Sequence, residues 1–128
     1  MNAWPFSHRP RILAIDDEVG FTRLLKLAVS QYDMRTENDP LRAVDAAEEF
    51  QPDLILLDRF MPRMSGDKLA ESIKAHPKLR KIPIAFVTGS VPRDSDGQLC
   101  TQLNGCPILV KPISLAAIDQ CVKECVHA

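Results

Sequence analysis

No apolar run in the chain approaches the roughly 20 residues that a membrane-spanning helix needs, and the opening MNAWPFSHRP has no apolar signal-peptide core. The expectation is a cytoplasmic protein without a membrane partner. An excess of one charge is missing too: 16 Lys and Arg face 17 Asp and Glu along the whole chain, for a formal net charge of -1. With no basic stripe and no acidic tail, no nucleic-acid partner is expected. Cys100, Cys106, Cys121 and Cys125 form no C-x-x-C and have no histidine at ligand spacing. Cys121 and Cys125, at i, i+4 on one helix face, read as small buried thiols. His8, His76 and His127 fall in the N-terminal tail, before a proline at a helix end, and at the C-terminus, none of them a catalytic setting. No G-x-G-x-x-G follows the first apolar run, which argues against a dinucleotide-binding module. Repeats and low-complexity segments are absent as well. The 128 residues make one domain, long enough to bury a core without disulfide or metal staples.

What is present begins with PDLILLDRFMPRMSG, residues 52–66, in which Leu54 to Leu57 are apolar without interruption and Asp58 follows at once. An unbroken run of this kind fits a strand covered on both faces, since a half-exposed strand alternates. A carboxylate at its end must reach solvent or a partner, because an unpaired buried charge is costly. Three other runs end in the same manner. Ile12 to Ile15 lead to Asp16 and Asp17, Ile84 to Val87 to Thr88, and Ile108 to Val110 to Lys111. Between the runs lie segments of helical period, such as Phe21, Leu24, Leu25 and Ala28, or Leu115, Ile118, Val122 and Cys125. Strands alternating with amphipathic helices predict an α/β fold, a doubly wound parallel sheet with helices on both faces.

Along the chain, residues 1–10 read as a flexible tail, with Trp4 and Phe6 as possible docking side chains, and 11–127 as the domain. Strands are predicted at 11–16, 33–37, 53–58, 83–88 and 107–111, the second weakly apolar and therefore at an edge. Helices are predicted at 18–31, from Asp39-Pro40 to Gln51-Pro52, at 66–75, at 98–104, and from Ser114 as N-cap. The fourth helix is the least secure: GSVPRDSDGQ delays its start, and only Leu99, Cys100 and Leu103 offer burial. These make five βα units.

In open sheets of this kind, ligands bind outside the carboxyl ends of the strands where the strand order reverses. If the order is 2-1-3-4-5, the flavodoxin-like order, Asp16, Asp17 and Asp58 share one pocket. Two ionised carboxylates about 4 Å apart repel by roughly 4 kcal/mol at an effective dielectric near 20, so three together call for a cation. Mg²⁺ suits the set, being a hard ion that accepts one or two carboxylates, keeps waters and is completed by phosphate oxygens. Thr88 adds a hydroxyl and Lys111 a mobile positive charge. Together they describe phosphoryl transfer with a carboxylate nucleophile, and Asp58, the single acid on the central strand, is the best candidate for an aspartyl phosphate.

ILAIDDE, LILLDRFMPRMSG with its D-x-x-M-P-x-M-x-G, IAFVTG and ILVKP together resemble the receiver domain of bacterial two-component response regulators, the CheY-like fold, over residues 10–127. The resemblance implies a (βα)5 fold and a phosphorelay role. Asp58 would accept phosphate from a sensor histidine kinase or phosphotransfer protein. Asp17, Asp58 and the Phe60 backbone carbonyl would bind Mg²⁺, with Asp16 acting through water. Thr88 would hydrogen-bond the phosphoryl group, Lys111 would pair with it, and Pro112 would follow a cis peptide that places the lysine. Such a domain is a signalling phosphoacceptor rather than an enzyme, acting only on its own phosphorylation state and signalling to a downstream protein target.

Three positions depart from the family pattern. Ile108 stands where an aromatic switch residue is usual, Arg59 follows the acceptor where an apolar residue is usual, and Phe60, two residues after the acceptor, would by the resemblance flank the path of the water that hydrolyses the phosphate. A receiver fold used as a phosphorylation-independent interaction domain therefore stays open as the alternative. A haloacid-dehalogenase-like phosphatase is more remote. It needs a second acid two residues after the nucleophile, where this chain has Phe60, and an acidic pair late in the chain rather than at Asp16-Asp17.

Overall fold

A computed structural model describes residues 8–126. Trp4, Phe6 and His127, for which the sequence suggested a tail and a chain end, lie outside the described residues. The strands are β1 (Arg11–Ile15), β2 (Asp33–Glu37), β3 (Leu54–Asp58), β4 (Ile84–Thr88), β5 (Gln102–Leu103) and β6 (Cys106–Val110). The helices are α1 (Val19–Ala28), α2 (Ala43–Phe50) entered through a 3₁₀ turn at Pro40–Arg42, α3 (Gly66–Ala75) and α4 (Leu115–Cys125). Sheet order is β2-β1-β3-β4-β6-β5, with every pairing parallel except β5 with β6. The parallel part thus has the expected order, β6 taking the fifth place.

Leu54 to Leu57 explain their own pattern. Leu54 and Leu56 pack on the face that also holds Ile12, Ala14, Leu25, Ile118 and Val122, while Ile55 and Leu57 pack with Leu13, Ala43, Leu69, Ile73 and Phe86. Alternate residues of a strand face opposite sides, so covering both sides with helices requires apolar residues at every position. All four are at most 2% exposed, and each such burial is worth about 2 kcal/mol.

Local chemistry sets the helix ends. Ser65 Oγ accepts from Lys68 N at 3.2 Å and Ser114 Oγ from Ala117 N at 3.1 Å, the N-cap pattern. Asp39 caps the Pro40 turn by accepting from Leu41 N at 3.0 Å, and Gln51 ends α2 in the left-handed region at φ 51°. α1 stops at Ala28, three residues short of the prediction. The chain turns there to bury Val29 and Tyr32, and the Tyr32 hydroxyl donates to Asp119 on α4.

The predicted helix at 98–104 is absent, so the described chain has four α-helices and not five. Asp94 Oδ1 accepts from the amides of Asp96 and Gln98, an alternative to helical bonding, and Arg93 bridges Leu99 in antiparallel fashion. Leu103 pairs with Cys106 across a two-residue turn in which Asn104 has φ 52° and Gly105 φ 80°. Two positive φ values in succession match the twist of a hairpin, and Asn-Gly is the dipeptide best suited to them. Of the segment expected as a tail, residues 8–10 are described, and they are bonded to the domain. His8 Nε2 lies 3.3 Å from Asp53, Arg9 donates to Ser30 O at 2.8 Å, and the Pro10 carbonyl accepts from Asp33 N at 3.0 Å.

Candidate functional site

The parallel register brings four strand ends level: Ile15 is paired with Leu57, Asp58 with Val87, and Thr88 with Val110. Asp16 follows β1 directly, Asp58 and Thr88 are the last residues of β3 and β4, and Lys111 is the first after β6. The order reverses between β1 and β3, so the acids meet at the crevice where such sheets bind ligands. Lys111 N donates to Thr88 O at 2.9 Å, tying the two strand ends together, and the Lys111-Pro112 bond is cis.

Asp16, Asp17 and Asp58 each offer a carboxylate oxygen within 4.8 Å of the others. Asp16 is 2% and Asp58 5% exposed, so the charges sit largely out of water. The Asp58 carboxyl is pushed up to about 6, first by burial and then by the charge of Asp16. Lys111, the Phe60 backbone amide that hydrogen-bonds it, and a smaller repulsion from Asp17 complete its surroundings. Lys111 Nζ lies 2.7 Å from Asp16 Oδ2, 3.2 Å from Glu18 Oε1 and 3.8 Å from Asp58 Oδ1. Burial pulls the Lys111 ammonium down, but the close approach and charge of Asp16, with the charge of Asp58 and the Glu18 contact, raise it above the ordinary lysine value.

One ammonium against three carboxylates leaves the cluster negative, and a second cation fits it. Asp16 Oδ1 accepts from Glu18 N at 2.9 Å, whereas the buried Oδ2 has the ammonium as counter-charge and no well-aligned donor among the described residues. Hard carboxylate oxygens with a lone pair not committed to a hydrogen bond are what Mg²⁺ binds.

Side chains outside this group hold it in shape. Asn38 Nδ2 donates to Asp16 O at 2.8 Å and to Thr22 Oγ1 at 2.9 Å, fixing the turn after β1. Gly66, at the start of α3, lies against the end of β3: its amide donates to Arg59 O at 2.7 Å, and a Cβ there would collide with the Asp58 carbonyl oxygen and stand 2.8 Å from Arg59 Cα. Thr88, 1% exposed, donates its hydroxyl to Ser90 O at 3.1 Å and accepts from Ser90 N at 3.1 Å. Arg59 is held by Asp67, with Nε 3.1 Å from Oδ1, and lies 5.0 Å from the ring centre of Phe60, which is 61% exposed.

The sequence-predicted residues Asp16, Asp17, Asp58, Thr88, Lys111 and Pro112 therefore share one sheet edge. Ile108 is placed elsewhere, half-buried on β6 beside Phe86 of β4 and packed against the core. Sequence reasoning missed Glu18, Phe21, Asn38 and the role of Gly66. Gly66 was legible as the last position of D-x-x-M-P-x-M-x-G, while nothing in the local sequence marks Asn38 or Phe21 as neighbours of an acid pair and a lysine.

The model of the response regulator receiver domain matches residues 12–123 of the chain. The polar-differentiation response regulator DivK of Brucella anthropi is 34% identical over 92 residues, covering 71% of this chain and 72% of DivK. The response regulator PleD of Caulobacter vibrioides is 39% identical over 80 residues, 61% of this chain but 18% of PleD, so the chain spans about a fifth of that relative. Among solved structures, the Vibrio cholerae chemotaxis protein CheY4 has a TM-score of 0.78 at 21% identity, covering 93% of this chain and all of CheY4, and shows the shared fold. The N-terminal domain of the nisin resistance regulator NsrR has a TM-score of 0.73 at 26% identity over 94% of this chain and 100% of that one.

Proposed function

Since this chain belongs to the response regulator receiver domain family, we propose that it is a phosphoacceptor in a two-component phosphorelay, taking a phosphoryl group on Asp58 from a histidine kinase or phosphotransfer protein. The observation that carries this reading is the cluster itself: three carboxylates within 4.8 Å, with Lys111 between Asp16 and Asp58. Asp16, Asp17 and Asp58, with the Phe60 backbone carbonyl, would hold Mg²⁺, which supplies positive charge to the oxygens of the transferred group.

In the transfer, an Asp58 carboxylate oxygen attacks phosphorus, the donor's N–P bond breaks, and the electron pair leaves with the donor imidazole. The Lys111 ammonium neutralises charge on the transferred group. It is tethered for this by its own backbone bond to Thr88 O at 2.9 Å. The Thr88 hydroxyl turns to a phosphoryl oxygen. That turn gives up its donation to Ser90 O and carries Oγ1 away from Ser90 N, near the start of the long, largely exposed excursion that replaces a fourth βα helix. Output therefore runs from Thr88 through Ser90 to the surface at 90–101 and on to a protein target, without an aromatic at 108. Mutually exclusive bonding of one hydroxyl makes this a shift between two states.

The phosphodonor has a surface to meet beside the site. On α1, Val19, Leu24 and Leu27 are 49%, 70% and 76% exposed, interleaved with Arg23 and Lys26. An apolar helix face of this kind suits a partner helix with acidic flanks.

Intact mass of wild type and Asp58→Asn after acetyl phosphate, with and without Mg²⁺, tests the reading. A phosphoryl adduct on wild type alone, dependent on the metal, is expected. No adduct on a folded, Mg²⁺-binding protein would favour the phosphorylation-independent interaction domain, the reading that Ile108 and the missing helix otherwise suggest.

A further inference from the structure

We infer that the ring of Phe21 is a positioning residue for Lys111, holding its ammonium at the mouth of the acid cluster by a cation–π contact; the inference rests on Asp58 as acceptor and Lys111 as its counter-charge. Lys111 Nζ lies 4.5 Å from the centre of the Phe21 ring. This is well inside the roughly 6 Å over which a ring quadrupole attracts a cation. The ring is half-buried and packed on the cluster that includes Ile12, Leu25 and Leu56, so its own position is fixed by the core.

The reason such a contact is needed lies in the other partners of Lys111. Asp16 at 2.7 Å and Asp58 at 3.8 Å belong to the acid set that fits a divalent cation, so their charge is shared with that cation when it binds. Asp58 is also the group whose charge changes on phosphorylation. Glu18 at 3.2 Å has a side chain that is 66% exposed, and a solvated ion pair of this kind fixes little. Phe21 is the neutral neighbour, whose attraction for the ammonium is indifferent to metal and to the protonation or phosphorylation of Asp58. It therefore keeps Nζ in reach of the acceptor through the steps in which the carboxylates are otherwise engaged.

Phe21→Leu and Phe21→Tyr, compared with wild type, test the assignment. Leucine keeps apolar packing without a ring, and tyrosine keeps the ring. In metal-free protein, carbon–proton spectra of the Lys111 ε-methylene should show a ring-current shift in wild type and Phe21→Tyr that is lost in Phe21→Leu. With saturating acetyl phosphate and Mg²⁺, adduct formation followed by intact mass should be about three- to thirtyfold slower in Phe21→Leu and near wild type in Phe21→Tyr. A Leu variant as fast as wild type, a Leu variant that keeps the Lys111 shift, or a Tyr variant as slow as Leu would each overturn the positioning role. Absence of any adduct on wild type would overturn the acceptor reading itself, which separates the two failures.

Discussion

Gly66 and Asp58 are in backbone contact: the first residue of α3 stands so close to the last residue of β3 that no side chain fits between them. The helix start is thereby used as a stop for the strand that carries the acceptor, and Gly66 N bonded to Arg59 O at 2.7 Å locks the approach.

Gly66→Ala should cost about 1–3 kcal/mol, the scale of overpacking, because the added methyl meets backbone and not a movable side chain. Chemical denaturation reads the loss. The displaced β3 end should also weaken Mg²⁺ binding, whereas Gly20→Ala, with nothing within 4 Å of the new Cβ, should leave binding unchanged.

Asp58 also makes stability depend on pH. Its folded value of about 6 lies above the ordinary 3.8, so between these two the native state binds more protons than the unfolded chain, and stability falls as pH rises. The sign is opposite to that of a salt-bridged carboxylate. Asp58→Asn in the absence of divalent ions should stabilise the protein by roughly 2–3 kcal/mol at pH 8, with the gain shrinking to little at pH 4. Thermal melts of both proteins across that range are the check. A gain that grows toward low pH would contradict the assignment.

Thr88→Val should leave Asp58 able to take phosphate while uncoupling the surface. Hydrogen exchange of residues 90–101 is expected to rise on phosphorylation of wild type, as the Thr88–Ser90 bonds open. In the valine variant exchange there should be fast in both states, with no increment on phosphorylation.

Phe60→Asn should shorten the life of the phosphorylated form by several-fold. The ring is 61% exposed beside the acceptor, held by Arg59 at 5.0 Å, and a smaller polar side chain opens the approach of water to the phosphoryl group. Decay of the adduct by intact mass gives the rate, and a variant no faster than wild type would remove Phe60 from the hydrolytic path.

Much of the acid site was legible because its signals are local. A double-sided apolar run must end in a polar group when it leaves the core, and Asp16, Asp58, Thr88 and Lys111 mark the four exits. Parallel strands put all those exits on one edge, so strand ends plus topology were enough to gather them. The helix forecast at 98–104 failed at a local signal too. Leu99, Cys100 and Leu103 have helical spacing, but Asn104-Gly105 is hairpin chemistry, and turn geometry overrode a three-residue apolar pattern.

Periodicity and side-chain hydrogen bonding within a few residues were enough for the five parallel strands, their carboxyl-edge groups and the helix cap at Ser114. How those groups constrain one another is settled by long-range packing. Phe21 meets Lys111 from a position 90 residues earlier in the chain, Asn38 clamps the turn after β1, and Gly66 abuts Asp58. Such contacts depend on how far a helix is rotated and how closely it approaches the sheet, and those are fixed by packing of the whole core.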